Sequence, residues 1–519
     1  MVTNHSKFQY IIIGAGASGC VIANRLSANP AVSVLLLEAG GDDSHPDIAD
    51  IGGFVRLWGS DADWQLRTVP QPGLNNREVV LNQGKVLGGS SSINAMMYVR
   101  GNAANFDEWE ILGAKGWSYN DVLPYFKQIE NYDGGDTDYH GTGGEISLCE
   151  CPDEYMCSAE FIEAASQAGY NEPHFDYNGA KQTNSAGYLQ FHIDEEQKRE
   201  SAATAFLHPI IDRPNLTVLT NAQVKRILIE NGTAIGVEYV INGETNAVYA
   251  DTEVILSAGA LASPKILMLS GIGPVEHLKE LGIEVITALP GVGQNLQDHV
   301  QLPLIYQSQS SSTDTTLLAG NVLFIKTTLT DYAPDVQINF TPGVPAPLRP
   351  ILLPMPVPVC IFLAILVQPL SRGELKLASA NYEDNPVIDP NYLVEQGDVD
   401  ALAEAVEVIR KIAAQPAFQS KNVCELVPGE EPLEAFIHSQ SSTIWHPAGT
   451  CKMGTDLMAV VDERLRVHGI NNLRVADASI MPVITSGNTV ATCFMIGQKA
   501  AAMIMEDQNV KQDTSVQII

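Results

Sequence analysis

The chain has 519 residues, of which 45% are hydrophobic and 18% charged, so it is long enough for more than one domain and has an ordinary globular composition. Its 61 acidic residues against 30 basic ones argue against nucleic acid and anionic membrane surfaces as partners. Eight cysteines in a chain of this length do not make a disulfide scaffold. The N-terminus shows no secretory signal, so a cytoplasmic location is expected.

The first 40 residues predict a βαβ unit. "FQYIII" and "AVSVLLLE" are typical of buried strands, and "CVIANRLSAN" is typical of a helix with one apolar face. The turn between them places Gly14, Gly16 and Gly19 in the GxGxxG spacing, and Glu38 ends the second strand. This context indicates a dinucleotide whose pyrophosphate meets the helix N-terminus and whose ribose binds the carboxylate. Glu38 would repel a 2′-phosphate, which favours FAD or NAD over NADP; a purely structural turn is the alternative.

Polar loops and strand-rich blocks alternate after this unit. The stretch from Glu130 to Glu145 is rich in glycine and aspartate without calcium-loop spacing, which predicts a mobile surface loop. The block from Asn215 to Gly259 alternates β-branched residues and holds two Asn-Gly turns, so a small antiparallel meander is expected. Short helices are predicted in "SPKILMLSGIG" and "VEHLKELG".

The second half of the chain contains a very apolar run, Ile351 to Val367. Three prolines break any helix through its first half, so no membrane span is predicted, and Val359 to Val367 favour a strand buried on both faces. The polar stretch from Tyr306 to Gly320 predicts a domain boundary or an active-site lid. A helical period returns from Asp398 to Gln415, and the polar end "EDQNVKQDTSVQ" is expected to be frayed.

The segment "WHPAGTCKMG" combines a histidine, a cysteine and a methionine within eight residues. These soft ligands could bind copper, or His446 could be a base whose neighbours bind nothing. A blue-copper site needs a second histidine, and neither His438 nor His468 has suitable local spacing. The local spacing disfavours copper, but the segment alone leaves both alternatives open.

Several further motifs occur in the order found in one enzyme family. They are "GKVLGGSSSINAMMYVRGN" from Gly84, "GALASPKILMLSGIG" from Gly259, "GVGQNLQDH" from Gly291, "HPAGTCKMG" and "DASIMP". With the glycine turn they resemble the glucose–methanol–choline (GMC) oxidoreductases, which are FAD-dependent alcohol oxidases and dehydrogenases, from about Phe8 to Ala502. The resemblance implies an α/β fold with a doubly wound FAD-binding domain, discontinuous in sequence, and a substrate domain built on an antiparallel sheet with helices.

The same resemblance implies a division of the chain. Residues 6–300 are expected to be mainly the FAD-binding domain, with lid or loop insertions around 130–205. Residues 301–445 are expected to be mainly the substrate-binding domain. Residues 446–505 are expected to return to the FAD domain with the catalytic pair, and residues 506–519 to form a tail.

The catalytic pair implied by the resemblance is His446 and Asn488, and Trp445 is expected to contact the substrate beside them. With His446 as a base, the resemblance implies no metal site, and Cys451 and Met453 are expected to be buried. A histidine can accept a hydroxyl proton near neutral pH, and an asparagine can hydrogen-bond the same oxygen without competing for the proton. Non-covalent FAD is expected, because Ile93 stands where some relatives carry a flavin-linked histidine. The implied FAD-binding residues are Gly14, Gly16, Ala17, Ser18, Gly19, Glu38, Val86, Gly89, Ser90, Asn94, Ala95, Met96, Met97, Val224, Asp477, Ala478, Asn488 and Thr489.

The implied reaction oxidises the CH–OH group of an alcohol to a carbonyl, with hydride transfer to flavin N5 and reoxidation by oxygen or another electron acceptor. The apolar half of the expected substrate domain and Trp445 favour a neutral primary alcohol, aromatic or aliphatic. Choline is the alternative substrate. Choline-oxidising relatives, however, carry a glutamate shortly after the Asp-His pair, where this chain has Val300, Gln301 and Leu302.

Other chemistries on this scaffold form further alternatives, namely lyases and a light-driven fatty-acid decarboxylase. The decarboxylase needs a cation for its substrate, and Gln368 stands where such relatives have arginine, with only Arg372 near. A flavin-binding protein without turnover would not need the pair of His446 and Asn488. The sequence leaves the oligomeric state open.

Overall fold

The computed structural model describes residues 7–152, 156–171, 175–308, 316–344, 348 and 357–516. The strands are β1 Lys7–Ile13, β2 Val34–Leu37, β3 Leu66–Arg67, β4 Val80–Leu81, β5 Glu130–Tyr132, β6 Ile146–Glu150, β7 Ala186–Tyr188, β8 Gln190–Phe191, β9 Leu216–Leu219, β10 Gln223–Glu230, β11 Thr233–Ile241, β12 Glu244–Leu256, β13 Ile272–Gly273, β14 Thr287–Ala288, β15 Gln294–Leu296, β16 Val300–Gln307, β17 Asn321–Ile325, β18 Val336–Thr341, β19 Val359–Leu366, β20 Gly373–Lys376, β21 Val387–Asp389, β22 Cys424–Val427, β23 Ser442–Thr443 and β24 Leu473–Val475.

The helices connect and cover these strands. They are α1 Ala17–Leu26, α2 Pro46–Ala49, α3 Phe54–Leu57, α4 Ala103–Ile111, α5 Tyr119–Ile129, α6 Ala159–Gln167, α7 Ala262–Leu269, α8 Val275–Glu280, α9 Gln396–Ala413, α10 Pro416–Gln419, α11 Leu433–Gln440 and α12 Val490–Val516. Among the described residues, no helix is both long and apolar enough to cross a membrane.

The first large sheet is built on the predicted βαβ unit. Its order is β10-β11-β12-β1-β2-β9, and β24 also pairs with β12. The strands β24, β12, β1, β2 and β9 run parallel. The apolar runs of β1 and β2 are buried, as is typical of parallel sheets, whose two faces are both covered. Since β24 follows the second sheet in the chain, this parallel layer is discontinuous in sequence.

The second large sheet is antiparallel, with the order β22-β16-β19-β18-β17-β7 and β23 beside β16. One face packs on α6, α9 and α11 in a core that includes Val336, Ile338 and Phe340. Alternate residues of a strand point to opposite faces, so Gln337 and Asn339 lie on the other face, toward the first sheet. The predicted combination of a parallel sheet with an antiparallel sheet and helices is therefore observed.

Helix α12 packs closely across α1. A Cβ at Gly497 would lie 2.7 Å from the carbonyl oxygen of Ser18, so the small residue permits the contact. The Ser18 Oγ donates to the carbonyl oxygen of Cys493 at 2.7 Å. This packing brings the N-terminal ends of the two helices to the same side of the parallel sheet.

Several local predictions are confirmed. The buried strand β19 begins at Val359, α9 covers the predicted helical period, and α7 and α8 match the predicted short helices. Both Asn-Gly turns have positive φ angles at each residue, as tight hairpin turns require, and Cys451 and Met453 are buried in the core. Residues 351–356 and 309–315, which belong to the apolar run and to the predicted lid, lie outside the described residues.

Two local predictions are wrong, and a third is confirmed only in part. Most of the stretch from Glu130 to Glu145 is an exposed or half-buried loop, but Glu130 and His140 are buried, where Arg100 pairs with Glu130 and His140 lies 3.2 Å from it. The strand β9 joins the parallel layer beside β2, so only β10, β11 and β12 form the antiparallel meander. The polar end is helical through Val516, where Asp507 pairs with arginines, including Arg474.

Candidate active site

A long cavity lies at the carboxyl ends of β1, β2, β12 and β24 and reaches the segment from Ile444 to Pro447. Ligands of open parallel sheets bind at this end of the strands. The lining contains most of the predicted site residues: Gly14, Gly16, Ala17, Ser18, Glu38, Gly89, Ser90, Asn94, Ala95, Met96, Met97, Val224, Trp445, His446, Asp477, Ala478, Asn488 and Thr489.

Two predicted FAD-binding residues lie outside this lining. Gly19 lies beneath the glycine turn, where a Cβ would meet the carbonyl oxygen of Gly14 at 1.9 Å, so it serves the packing of α1 on β1. Val86 is buried in a small apolar cluster with Ile48, Leu57 and Ile93. Both residues support the cavity from behind rather than facing it.

The glycine turn presents its backbone to the cavity. Gly16 precedes α1 and has no side-chain cap, and a Cβ built there meets no atom within 4 Å. The first N–H groups of a helix have no intrahelical acceptor, so this end of α1 is available to an anion. The turn therefore has the properties of a pyrophosphate site.

We expect Gly14→Ala to abolish stable FAD binding. Gly14 has φ +98°, and a Cβ would lie 2.4 Å from the carbonyl oxygen of Ser257, so both conformation and space exclude a side chain. The free energy of unfolding should fall by about 2 kcal/mol or more. Thermal unfolding and the flavin absorbance of the purified protein measure both effects. Gly41→Ala is the control, because its Cβ would meet nothing within 4 Å, and an unchanged Gly14→Ala protein would contradict this account.

Glu38 lies at the end of β2, where the predicted ribose-binding carboxylate is expected. Its side chain accepts hydrogen bonds from the backbone N–H groups of Ala15 at 2.9 Å and Gly40 at 2.8 Å. Burial raises the pKa of Glu38 to about 7. A carboxylate can accept additional hydrogen bonds, so the two backbone contacts leave it able to bind a hydroxyl group.

The segment from Gly89 to Met97 forms one wall of the cavity. A Cβ at Gly89 would lie 2.8 Å from the Cα of Gly16, so this wall packs directly on the glycine turn. The Asn94 Oδ1 accepts from the backbone N–H of Met96 at 3.0 Å, and its Nδ2 lies 3.1 Å from Nε2 of His192. These contacts fix the orientation of the Asn94 amide.

The N-terminal end of α12 borders the same cavity through Asn488, Thr489 and Val490. Gly487 has φ +131°, and a Cβ there would lie 2.4 Å from Cγ1 of Val99, so the turn before the helix requires glycine. The turn directs the Asn488 amide toward His446. The partial positive charge of a helix N-terminus adds to the donor N–H groups of the Asn488 amide at this place.

His446 is positioned by a strained corner of the chain. Trp445 has φ +63°, which is unusual for a bulky residue, and its backbone N–H donates to Thr443 Oγ1 at 2.7 Å. The Trp445 indole donates to the carbonyl oxygen of Val80 at 3.0 Å. The backbone N–H of His446 donates to Asp298 Oδ1 at 2.7 Å, which turns the imidazole into the cavity.

The polar contacts of His446 define its protonation. The Nδ2 of Asn488 lies 3.3 Å from the His446 Nε2, and an amide nitrogen can only donate, so Nε2 carries the lone pair. The proton of the neutral ring is then on Nδ1, which lies 2.9 Å from Nδ1 of His299. Burial lowers the pKa of His446 to about 3, so the neutral form predominates at physiological pH.

His299 and Asp298 contact His446, and the sequence analysis assigned neither of them a role. His299 is fully buried, and burial and then His446 hold its pKa well below the ordinary value. Asp298 accepts hydrogen bonds from Thr443 Oγ1 and Tyr392 as well as from His446. Both residues belong to "GVGQNLQDH", a segment that contributed to the family resemblance, so the motif itself was the available signal.

Other cavity residues also escaped the sequence reasoning. Trp58 packs on Trp445 with ring centroids 4.6 Å apart, and its indole donates to the carbonyl oxygen of Ile93. Further lining residues come from distant parts of the chain: Trp64, Leu66, Asn82, Gln83, Lys265, Leu318, Tyr382, Asn385 and Ile444. Only folding brings them together.

The residues present fit an FAD molecule. Two helix N-termini face one elongated cavity, the backbone at Gly16 is open, and Glu38 lies at the end where a ribose is expected. Ser257 Oγ and Asn488 Oδ1 are buried without a hydrogen-bond partner in the described part of the chain, as expected for groups that a ligand satisfies. Within that same part, no three His, Cys, Asp or Glu side chains form a possible metal site.

Comparison with known proteins identifies the family. The sequence model described as GMC oxidoreductase matches residues 8–301 with its N-terminal part and residues 369–497 with its C-terminal part. The chain belongs to the GMC oxidoreductase family. It is 40% identical to the oxygen-dependent choline dehydrogenase of Sinorhizobium fredii over 96% of each chain. It is 38% identical to the alcohol dehydrogenase (acceptor) of Pseudomonas putida, again over 96% of each.

A solved structure gives the same result. The pyridoxine 4-oxidase from Mesorbium loti superposes with a TM-score of 0.89 at 30% identity, covering 96% of this chain and 99% of that chain. The predicted family, the α/β fold with an FAD-binding domain, and FAD as cofactor are therefore confirmed. The protein is a flavoprotein oxidoreductase that acts on CH–OH donors. The individual roles of the site residues stay predictions.

Proposed function

We propose that the protein oxidises a neutral primary alcohol, aromatic or aliphatic, to its aldehyde, with His446 as the base and Asn488 as the group that holds the substrate oxygen. The observation that carries this proposal is the 3.3 Å separation between His446 Nε2 and Asn488 Nδ2. Both atoms belong to residues that line the cavity. The cavity-lining residues predicted to bind FAD are proposed to do so.

One hydroxyl oxygen can lie within hydrogen-bond distance of both nitrogen atoms, because they are so close to each other. In that position the alcohol O–H donates to His446 Nε2, and its oxygen accepts from Asn488 Nδ2. His446 takes the proton at Nε2, while its Nδ1–H continues to donate to His299. When bound, FAD supplies the acceptor for the hydride that leaves the alcohol carbon.

The lining beside the pair is mainly apolar and aromatic, with Trp58, Ile444 and Trp445. The carboxylates in the lining are Glu38 and Asp477. Both already accept backbone N–H groups, and Asp477 also accepts from Ser263 Oγ. These features favour a neutral substrate, since a cationic one lacks a free carboxylate among the described lining residues.

Choline is the second candidate, and two observations favour it. The chain is 40% identical to a choline dehydrogenase, and the faces of Trp58 and Trp445 could interact with a quaternary ammonium group. The position after Asp298 and His299 argues against it. The Nε2 of Gln301 donates to the carbonyl oxygen of Thr443 at 2.8 Å, so a neutral amide stands where choline-oxidising relatives are expected to have glutamate.

Decarboxylation of a fatty acid is less well supported. Arg372 does not line the cavity, and its guanidinium donates to the carbonyl oxygens of Pro369 and Ser371. Gln368 donates to the carbonyl oxygen of Ile484 at 2.6 Å. Neither side chain is arranged to bind a substrate carboxylate.

We expect benzyl alcohol or 1-butanol to bleach the flavin band near about 450 nm under anaerobic conditions much faster than choline does. Adding air afterwards distinguishes an oxidase from a dehydrogenase that needs another acceptor. Gln301→Glu is the matched variant. Gln301 does not itself line the cavity, but a carboxylate there would attract a bound cation at a distance and should shift the preference toward choline by about tenfold. Faster bleaching by choline in the unaltered protein would contradict the neutral-alcohol proposal, and bleaching by none of the three would contradict both candidates.

A further inference from the structure

Arg199 is a buried arginine, and no carboxylate of the described residues forms an ion pair with it. Only 2% of its surface is exposed. Its Nε donates to the carbonyl oxygen of Ile48 at 2.8 Å, and its Nη1 donates to Asn94 at the carbonyl oxygen, 2.6 Å, and at Oδ1, 2.7 Å. Its Nη2 has no hydrogen-bond partner within the part of the chain that the structure describes.

Other buried arginines of this protein are neutralised. Arg100 pairs with Glu130, and Arg474 pairs with Glu253 at 2.7 Å. Burial of an unpaired charge is costly, and the pKa of Arg199 is lowered by burial to about 9, with only Asp50 acting in the opposite direction. Such a group calls for an anion that the protein chain itself does not supply.

Arg199 lies directly behind the wall of the cavity. Its Nη1 also contacts the carbonyl oxygen of Ser91 at 3.3 Å, and both Ser91 and Asn94 line the cavity. Gly89, at the start of the same segment, packs on Gly16 at the start of α1. The guanidinium and the N-terminus of α1 are therefore on either side of the same short turn.

The cavity itself is poor in positive charge. Among its described lining residues Lys265 is the sole lysine or arginine, and its Nζ donates to the carbonyl oxygen of Tyr382 at 2.7 Å. The chain as a whole has a formal net charge of −31. For a pyrophosphate with two negative charges at the N-terminus of α1, the described lining thus offers backbone N–H groups and no arginine.

We propose that Arg199 is the counter-charge for the pyrophosphate of FAD, acting across the turn from Gly89 to Asn94. The proposal concerns binding of the cofactor and does not depend on which alcohol is oxidised. It is therefore tested through the dissociation constant of FAD rather than through the rate of turnover.

Two variants separate the charge of Arg199 from its packing. Arg199→Met removes the charge, and Arg199→Lys keeps it while losing most of the hydrogen bonds to the turn. We expect Arg199→Met to raise the dissociation constant of FAD about 30-fold, because it removes a strong attraction between the buried charge and the anion. The dissociation constant should also become less dependent on ionic strength, because salt screens part of that attraction. Arg199→Lys should change it by less than about fivefold. Equilibrium dialysis of the holoenzyme at two salt concentrations measures both.

Arg474→Met is the control, because it removes a buried arginine whose charge is already paired. It should lower the unfolding temperature without changing the FAD dissociation constant. Equal losses in Arg199→Met and Arg199→Lys would show that Arg199 only holds the turn, and an unchanged dissociation constant in Arg199→Met would show no role; either result overturns the proposal. If Arg199→Met altered the midpoint potential of the flavin but not the affinity for FAD, the charge of Arg199 would act on the flavin ring rather than on the pyrophosphate. That result would also overturn the proposal.

Discussion

His446→Ala is expected to slow the anaerobic reduction of bound FAD by alcohol about 1,000-fold, or about 4 kcal/mol in activation free energy. His446 is the proposed base in the cavity. The lone pair on its Nε2 faces the donor Nδ2 of Asn488, which lies 3.3 Å away. Its replacement removes the acceptor for the hydroxyl proton and leaves Asn488 to bind the oxygen alone. Stopped-flow absorbance of the flavin measures the rate directly.

The control for this experiment is a histidine outside the cavity. His438 lies on α11, and its Nδ1 is 2.7 Å from the carbonyl oxygen of Gly73. In the His438→Ala variant, alcohol should reduce the bound FAD at nearly the rate seen in the unaltered protein. A loss of less than about tenfold in His446→Ala, with FAD still bound, would show that proton abstraction by His446 is not needed.

Much of the fold could be predicted because short-range patterns determine it. The apolar runs of β1 and β2, the glycines between them and the carboxylate of Glu38 occur within 40 residues, so spacing alone indicates the βαβ unit. The Asn-Gly turns similarly fix the hairpins of the meander. Elements whose environment comes from distant residues were predicted less well. The residues from Glu130 to Glu145 are polar, but His140 within that stretch is buried, and it lies within hydrogen-bond distance of Arg100 and Asp176.

The polar C-terminal end shows the same limit. Its composition predicts a frayed tail, but Asp507 contacts arginines that lie more than 30 residues earlier, among them Arg466 and Arg474. These pairs hold the end of α12 to the neighbouring segments. A pattern of charge along the sequence cannot show which partners folding will bring to it.

The candidate site divides in a similar way. The pair of His446 and Asn488 could be predicted because both belong to motifs, and the structure places them beside each other. The aromatic residue Trp58 could not be predicted, since it lies nearly 400 residues before its ring partner Trp445. The contact between His299 and His446 is likewise a product of the fold, because β16 and the corner at Thr443 bring the two segments together.

His299→Phe is expected to slow flavin reduction by alcohol about 100-fold, whereas His299→Asn should slow it by less than about tenfold. His446 Nδ1–H donates to His299 in the tautomer that leaves Nε2 free. Phenylalanine removes this acceptor, so the tautomer of His446 with its proton on Nε2 becomes more favourable. In that tautomer Nε2 cannot accept the proton of the alcohol. Asparagine still offers a carbonyl oxygen to Nδ1–H and preserves the productive tautomer.

The pH profile separates this positioning role from a loss of stability. Burial lowers the pKa of His446 to about 3, so its neutral form persists as the pH falls and is lost only near pH 3. The rate of flavin reduction should therefore be independent of pH between about 5 and 8 in the unaltered protein and in both variants, with His299→Phe slow throughout. Equal losses in the two variants, or a loss in His299→Phe that disappears at high pH, would contradict control of the tautomer by His299. The contrast between phenylalanine and asparagine at one buried position thus tests whether His299 sets which nitrogen of His446 receives the proton.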